Sequence, residues 1–224
     1  MTVQNILSDD LFALAPTDTV ERALGVFADV DVEHLAVVDG EDRLVALIAE
    51  EELLDQADPE ARLGSLSGLG ALSVGPDVHL FEAASLLAAH HLSALPVADS
   101  TGKYIGIVRR RTVFETFAQM LSTGTPGAIL ILEVAPRDYA LSQLSHLVEQ
   151  TDARVLSAST QTPEEGAFDP SVLRVTLKLN VTDTSRVRYL LEQNGYRVVA
   201  AFNEEDSEEE LSLRIQEFMR YLEV

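Results

Sequence analysis

ALPVADSTGKYIGIVRRRTV, residues 94–113, decides the fold, because sixty residues earlier HLAVVDGEDRLVALIAEEEL, residues 34–53, lies over it without a gap. The register extends upstream, with Pro16 matching Pro76 and Ala23 matching Ala83, so residues 14–53 superpose on 74–113. A constant offset over this length marks two copies of one supersecondary unit. Each copy opens on a proline and continues into a segment of helical period, VERALGVFADV or LFEAASLLAAHHL. A short apolar strand ending in Asp39 or Asp99 follows, then a turn, a second strand and another helix. The turns GEDR and DSTGK carry the Gly, Asp and Ser that tight hairpins favour. The pattern is β-α-β-β-α, and one copy is too small to bury both of its apolar faces alone. Pairing of the copies about a pseudo-twofold axis is expected.

The chain has 224 residues with 46% hydrophobic content, enough for more than one packed unit, and no cysteine. Disulfides, thiolate metal sites and cysteine nucleophiles are thereby excluded. Sixteen basic against 37 acidic side chains leave a formal charge of −21, so a polyanion such as DNA is repelled over most of the surface. The N-terminus lacks the basic start and apolar core of a signal peptide, and no apolar run approaches the ~20 residues that span a bilayer. The expectation is a cytoplasmic protein that contacts neither membrane nor nucleic acid.

The paired copies resemble the tandem CBS domain, or Bateman module. The features that carry the resemblance are Leu95-Pro96-Val97 with Asp99, and Gly106-Ile107-Val108 running into a helix. It covers roughly residues 1–122, with boundaries read as 1–62 and 63–122. It implies a regulatory module that commonly forms homodimers, with a cleft that takes adenine nucleotides. In relatives that bind them, the second strand enters its helix through Gly, two apolar residues, Ser/Thr, two residues and Asp. The Asp holds the ribose, and the Ser/Thr with the helix-start amides meets phosphate, since that helix end carries partial positive charge.

Neither copy keeps this motif. The first reads Ala46-Leu47-Ile48-Ala49-Glu50-Glu51-Glu52, whose three carboxylates oppose a phosphate; only Glu52 could reach a ribose. The second reads Gly106-Ile107-Val108-Arg109-Arg110-Arg111-Thr112, with arginine for the hydroxyl and threonine for the aspartate. Guanidinium forks bind phosphate or carboxylate oxygens in pairs. Ser/Thr-x-x-Asp/Glu is also a helix-capping box, so part of the family pattern is helix initiation. Cations at a helix start cost about 0.3–1 kcal/mol each when exposed, so something negative should offset Arg109–Arg111. Three candidates stand: Glu50–Glu52 of this chain or of a dimer partner, a bound anion, or solvent. The candidate ligand residues are Arg109, Arg110, Arg111, Thr112, Gly106 and Pro96, for an adenine nucleotide or another anionic metabolite.

Beyond the loop STGTPG (122–127) the order changes to βαββαβ: strands in GAILILEV, ARVLSAST, VLRVTLKLNV and YRVVAAF, helices in ALSQLSHLVEQTDA and SRVRYLLEQNG. This is the ferredoxin-like arrangement, expected over 127–203, and it looks like an ACT domain. That resemblance implies small-molecule sensing. The first strand-to-helix turn, Ala135–Leu141, lacks the glycine that amino-acid-binding members use, which argues against an amino-acid ligand. Residues 204–224 place Leu211, Ile215, Phe218 and Leu222 on one stripe, an amphipathic helix.

The fold expected is therefore α+β, a CBS pair, an ACT-like domain and a terminal helix, as in bacterial stand-alone CBS proteins of undefined function. Histidines 34, 79, 90, 91 and 146 are scattered, GSLSG (64–68) has Leu66 where a nucleophilic serine belongs, and no phosphate loop or metal-ligand set is found. The functional expectation is a non-enzymatic, homodimeric sensor. The alternative is a ligand-free interaction scaffold whose charges pair internally.

Overall fold

The computed structural model describes residues 1–8, 12–30, 32–66, 70–161 and 172–202. The chain divides into two compact units, one ending at Thr116 and one beginning at Phe117.

In the first unit the leading repeat forms β1 (Ala13–Leu14), α1 (Val20–Asp29), β2 (His34–Val38), β3 (Leu44–Ala49) and α2 (Glu50–Leu54). Thr19 starts α1 by accepting the Arg22 N–H at 3.3 Å. The second repeat supplies α3 (Leu80–Ala89), β4 (Ala94–Ala98), β5 (Tyr104–Arg109) and α4 (Arg110–Met120). Its first strand shrinks to one parallel bridge, Val74 to Val97, at the positions sixty residues on from Leu14 and Val37 of β1 and β2. Leu14, Phe27, Leu35 and Ile48 of the first repeat share a core with Ala94, Tyr104 and Ile107 of the second. Each fully buried side chain of this size is worth about 1.5–3 kcal/mol, so neither repeat is complete without the other.

Local chemistry explains the hairpins. Asp39 Oδ1 accepts the N–H groups of Glu41 and Arg43 at 2.9 Å, and Asp99 Oδ1 accepts those of Thr101 and Lys103 at 2.8 and 3.0 Å. These strand-ending aspartates therefore fold turns. The two tips bond to each other, Tyr104 N–H to Asp42 O at 2.8 Å and Leu44 N–H to Gly102 O at 3.2 Å. The segments that precede the repeats are exchanged. Val3 N–H donates to Val78 O at 2.9 Å, while Leu63 N–H donates to Asp18 O at 3.0 Å. Each repeat is thus finished by the segment that leads into the other.

The second unit runs β6 (Ile129–Val134), α5 (Leu141–Glu149), β7 (Val155–Gln161), β8 (Leu173–Leu179), α6 (Ser185–Gln193) and β9 (Arg197–Phe202). Its antiparallel sheet has the order β7-β8-β6-β9, with the first strand inside. Alternate residues Leu130, Leu132, Val175 and Leu177 bury against Leu144 and Val148 of α5 and Val187 and Leu191 of α6. On the other strand positions Glu133 pairs with Arg174 at 3.3 Å and Arg197 at 3.1 Å. The β6–α5 turn contains a 3-10 turn over Pro136–Asp138. The expected helix over 204–224 and the loop at 162–171 lie outside the described residues. Among those described, no helix is long and apolar enough to cross a membrane.

Candidate functional site

The arginine run falls where the two strands of the second repeat hand over to its helix. Arg109 ends β5, and Arg110 and Arg111 open α4. All three line a cleft of about 320 Å³. Its other wall comes from the first repeat: Phe27 and Val30 at the end of α1, then Val32 and Glu33 leading into β2, with Ser93 and Glu50 completing the lining. The cleft is therefore apolar on one side and cationic on the other, with two carboxylates at its margin.

The pseudo-twofold axis generates a second cleft of about 590 Å³, lined by His90 and His91 at the end of α3 and by Glu50, Glu51, Glu52 and Leu54 of α2, with Glu33 and His34 between. The same construction thus yields one cleft rich in guanidinium and one rich in carboxylate. At both helix starts the first amide is already bonded, Arg110 N–H to Ser93 O at 2.8 Å and Glu50 N–H to Glu33 O at 2.9 Å. Those two amides are therefore engaged within the fold. Glu52 folds back onto its own helix, where Oε2 accepts the Ala49 N–H at 3.2 Å. This is half of a capping box, since the N-cap Ala49 has no side-chain acceptor to return the bond, and it engages Glu52 in helix initiation rather than holding it out for a ribose.

Between the clefts sits a polar contact that periodicity does not reveal. Ser93 Oγ accepts the Glu33 N–H at 2.8 Å and lies 3.1 Å from His34 Nδ1, which also accepts the Ser93 N–H at 3.3 Å. Nδ1 is an acceptor here, so the ring carries its proton on Nε2. Burial holds the His34 pKa below its ordinary value, and Arg110 acts in the same direction; Glu33, Glu51 and Glu52 oppose them. The contact ties the start of β2 to the start of β4, and its residues line the two clefts.

The remaining expected ligand residues are placed in the framework. Pro96 is buried in β4, pairs with Ile107 and accepts the Val74 N–H at 3.1 Å. Gly106 has φ +146°, and a Cβ there would stand 2.9 Å from Ser8 O, so the close passage of the N-terminal segment accounts for the glycine. Thr112 is half-buried in α4, and its carbonyl accepts the Thr116 Oγ1–H at 2.7 Å. Arg111 Nε pairs with Glu115 at 2.9 Å, an exposed (i, i+4) bridge worth a few tenths of a kcal/mol. Phe27, Val30, Val32, Glu33 and Ser93 were not read as site residues; the signal available was the alignment of Glu33 with Ser93 ahead of the paired strands. Among the described residues no group of three or more His, Cys, Asp or Glu is placed to hold a metal ion.

Two interlocked repeats with a pair of equivalent clefts at their strand-to-helix junctions define a tandem-repeat fold. The CBS domain family model matches residues 3–58 and 70–119, and the chain carries a tandem pair of CBS domains. It is similar to inosine-5'-monophosphate dehydrogenase of Methanocaldococcus jannaschii, 27% identical over 110 residues, which is 49% of this chain and 22% of that protein. The chain spans between a fifth and a third of the curated relatives it matches first, so these likenesses concern a segment of those proteins. Among solved structures, a CBS domain pair/ACT domain protein of Thermotoga maritima superposes with a TM-score of 0.50 at 22% identity, covering 54% of this chain and 99% of that one. CBSX2 in complex with AMP gives 0.47 at 27% identity, covering 53% and 96%.

Proposed function

We propose that this chain is a non-enzymatic regulatory module that binds an anionic small molecule, an adenine nucleotide or another phosphate- or carboxylate-bearing metabolite, in the arginine cleft. The observation that carries this reading is three consecutive arginines on one wall of a 320 Å³ cleft whose opposite wall is apolar. Guanidinium groups supply paired donors to anionic oxygens, and the apolar wall suits a ring or chain. The second cleft, with Glu33 and Glu50–Glu52 in its lining, disfavours the same ligand. The motif departures support anion binding without the usual ribose clamp.

In this reading the protein is cytoplasmic and homodimeric through the CBS module. The second unit is a ferredoxin-like, ACT-type domain; the βαββαβ order with the first strand inside supports that reading. Its first turn, without glycine, offers no support for an amino-acid ligand. One observation favours the alternative, a ligand-free scaffold: Glu33 and Glu50 line the same cleft as the arginines and can neutralise them.

Thermal unfolding with AMP, ADP, ATP and small carboxylates separates the two. A ligand at a hundredfold its Kd adds about 2.7 kcal/mol. The expected result is a raised melting temperature for at least one nucleotide or carboxylate, abolished by Arg110→Glu. No shift across the panel rejects the sensor reading in favour of the scaffold.

A further inference from the structure

One hydrogen-bonded pair of residues stands between the two clefts. Ser93 lines the arginine cleft and His34 the carboxylate cleft, and each is only 9% exposed. Ser93 Oγ accepts the Glu33 N–H at 2.8 Å and lies 3.1 Å from His34 Nδ1, so its own hydrogen is donated to that nitrogen. Nδ1 also accepts the Ser93 N–H at 3.3 Å, the longest contact of the three. The Ser93 carbonyl in turn accepts the Arg110 N–H at 2.8 Å, which fixes the start of the helix that carries Arg110 and Arg111. While the ring is neutral, the Ser93 hydroxyl is thus turned toward His34 and has no hydrogen to offer the arginine cleft.

We infer that protonation of His34 strengthens anion binding in the arginine cleft: a proton on Nδ1 reverses the bond to Ser93 Oγ, and the freed Ser93 hydroxyl donates to the anion. The inference rests on the anion site of the proposed function and adds its regulation by pH. A hydroxyl oxygen accepts two hydrogen bonds and its hydrogen rotates, so Oγ can take both Nδ1–H and the Glu33 N–H while its O–H swings away. The exchange costs the Ser93 N–H its acceptor; the charge-assisted Nδ1–H bond and the new bond to the anion offset that loss. Among the described residues, charged and titratable groups face the ring from several elements. They are Glu33 beside it, Glu50, Glu51 and Glu52 at the start of α2, His90 and His91 at the end of α3, and Arg110 at the start of α4, with Arg109 and Arg111 next to it. Burial opposes the charged ring most, and Arg110 adds to that opposition; Glu33, Glu51 and Glu52 favour the charged ring. An anion held by Arg110 cancels the positive charge that opposes the proton. Anion and proton therefore bind together, each tightening the other, as linkage requires.

Isothermal titration of AMP, ATP and succinate into the full chain at pH 7.5 and pH 5.5 tests this, each run repeated in buffers of different ionisation heat to count the protons taken up. Wild type should bind at least one probe more tightly at pH 5.5 and take up protons as it binds. In His34→Gln and in Ser93→Ala the gain in affinity between the two pH values should be smaller by about threefold or more, where one whole linked proton gives about tenfold per pH unit. Comparing proteins with the same probe removes the probe's own titration. Full linkage in Ser93→Ala takes the hydroxyl out of the mechanism and overturns the inference. The double variant His90→Gln/His91→Asn should keep the wild-type linkage; its loss there assigns the effect to those imidazoles and overturns the inference too. Equal pH dependence in wild type and His34→Gln overturns the regulation and leaves the anion site standing, whereas failure of all three probes at both pH values overturns the anion site and the inference with it. One measurement needs no substitution, and so stands even if a variant misfolds. The His34 ring resonance of wild type should titrate at higher pH with saturating probe than without, and an unchanged titration contradicts the inference.

Discussion

Replacing Ser93 by alanine removes one oxygen and tests how the two repeats are joined. Ser93 Oγ accepts the Glu33 N–H at 2.8 Å and reaches His34 Nδ1 at 3.1 Å; His34 and Ser93 are each only 9% exposed. Without it the Glu33 amide loses its acceptor, while Nδ1 keeps the Ser93 N–H at 3.3 Å. A net hydrogen bond is worth about 1 kcal/mol, and a donor left unsatisfied costs about 1–3 kcal/mol. The sum expected for Ser93→Ala is about 2 kcal/mol. In a chain of this size that lowers the melting temperature by roughly 4–8 °C. Urea unfolding followed by circular dichroism should show a reduced midpoint at unchanged slope, with exposed Ser100→Ala as the neutral control. A loss below about 0.5 kcal/mol for Ser93→Ala would show that the junction is held by apolar packing alone.

Three further outcomes follow from the same geometry. The folded-state pKa of His34 is lowered, so at acid pH the unfolded chain binds the proton more readily; the His34 contribution is complete above about 6.5 and is lost as pH falls from there through the lowered folded value. Denaturation measured between pH 7.5 and 5 should show this slope in wild type and less of it in His34→Gln, and equal slopes refute the assignment. Gly106→Ala puts a Cβ against Ser8 O at a φ of +146°, which should cost about 1–3 kcal/mol of stability; a neutral result would return Gly106 to candidacy as a ligand residue. Glu52→Ala should lose about 0.5–1.5 kcal/mol through its bond to the Ala49 N–H, and Glu52→Gln should recover most of it, which calorimetric melting can resolve.

Much of the fold is legible in the sequence because its determinants are local. Asp39 and Asp99 announce hairpins, helical period marks α1 and α3, and the offset of sixty makes each copy a check on the other. The exchange of residues 1–8 and 61–64 between repeats is not legible, since backbone bonds such as Val3 to Val78 carry no side-chain signal. The site divides in the same way. Arg109–Arg111 can be placed at a helix start from alignment alone, but the wall that faces them, Phe27, Val30 and Val32, comes from the other repeat and reads locally as ordinary core. Gly106 and Pro96 look like ligand residues because family motifs mix framework with function. In this chain Gly106 makes room for Ser8 O, and Pro96 pairs within the sheet.

In the proposed function the arginine cleft accepts an anion and the carboxylate cleft refuses it. Isothermal titration of AMP and of ATP into wild type, Arg110→Glu and Glu51→Gln addresses it most directly. One site per chain is expected for a binding nucleotide, lost in Arg110→Glu and retained in Glu51→Gln. Two sites per chain, or equal binding by Arg110→Glu and wild type, would contradict it.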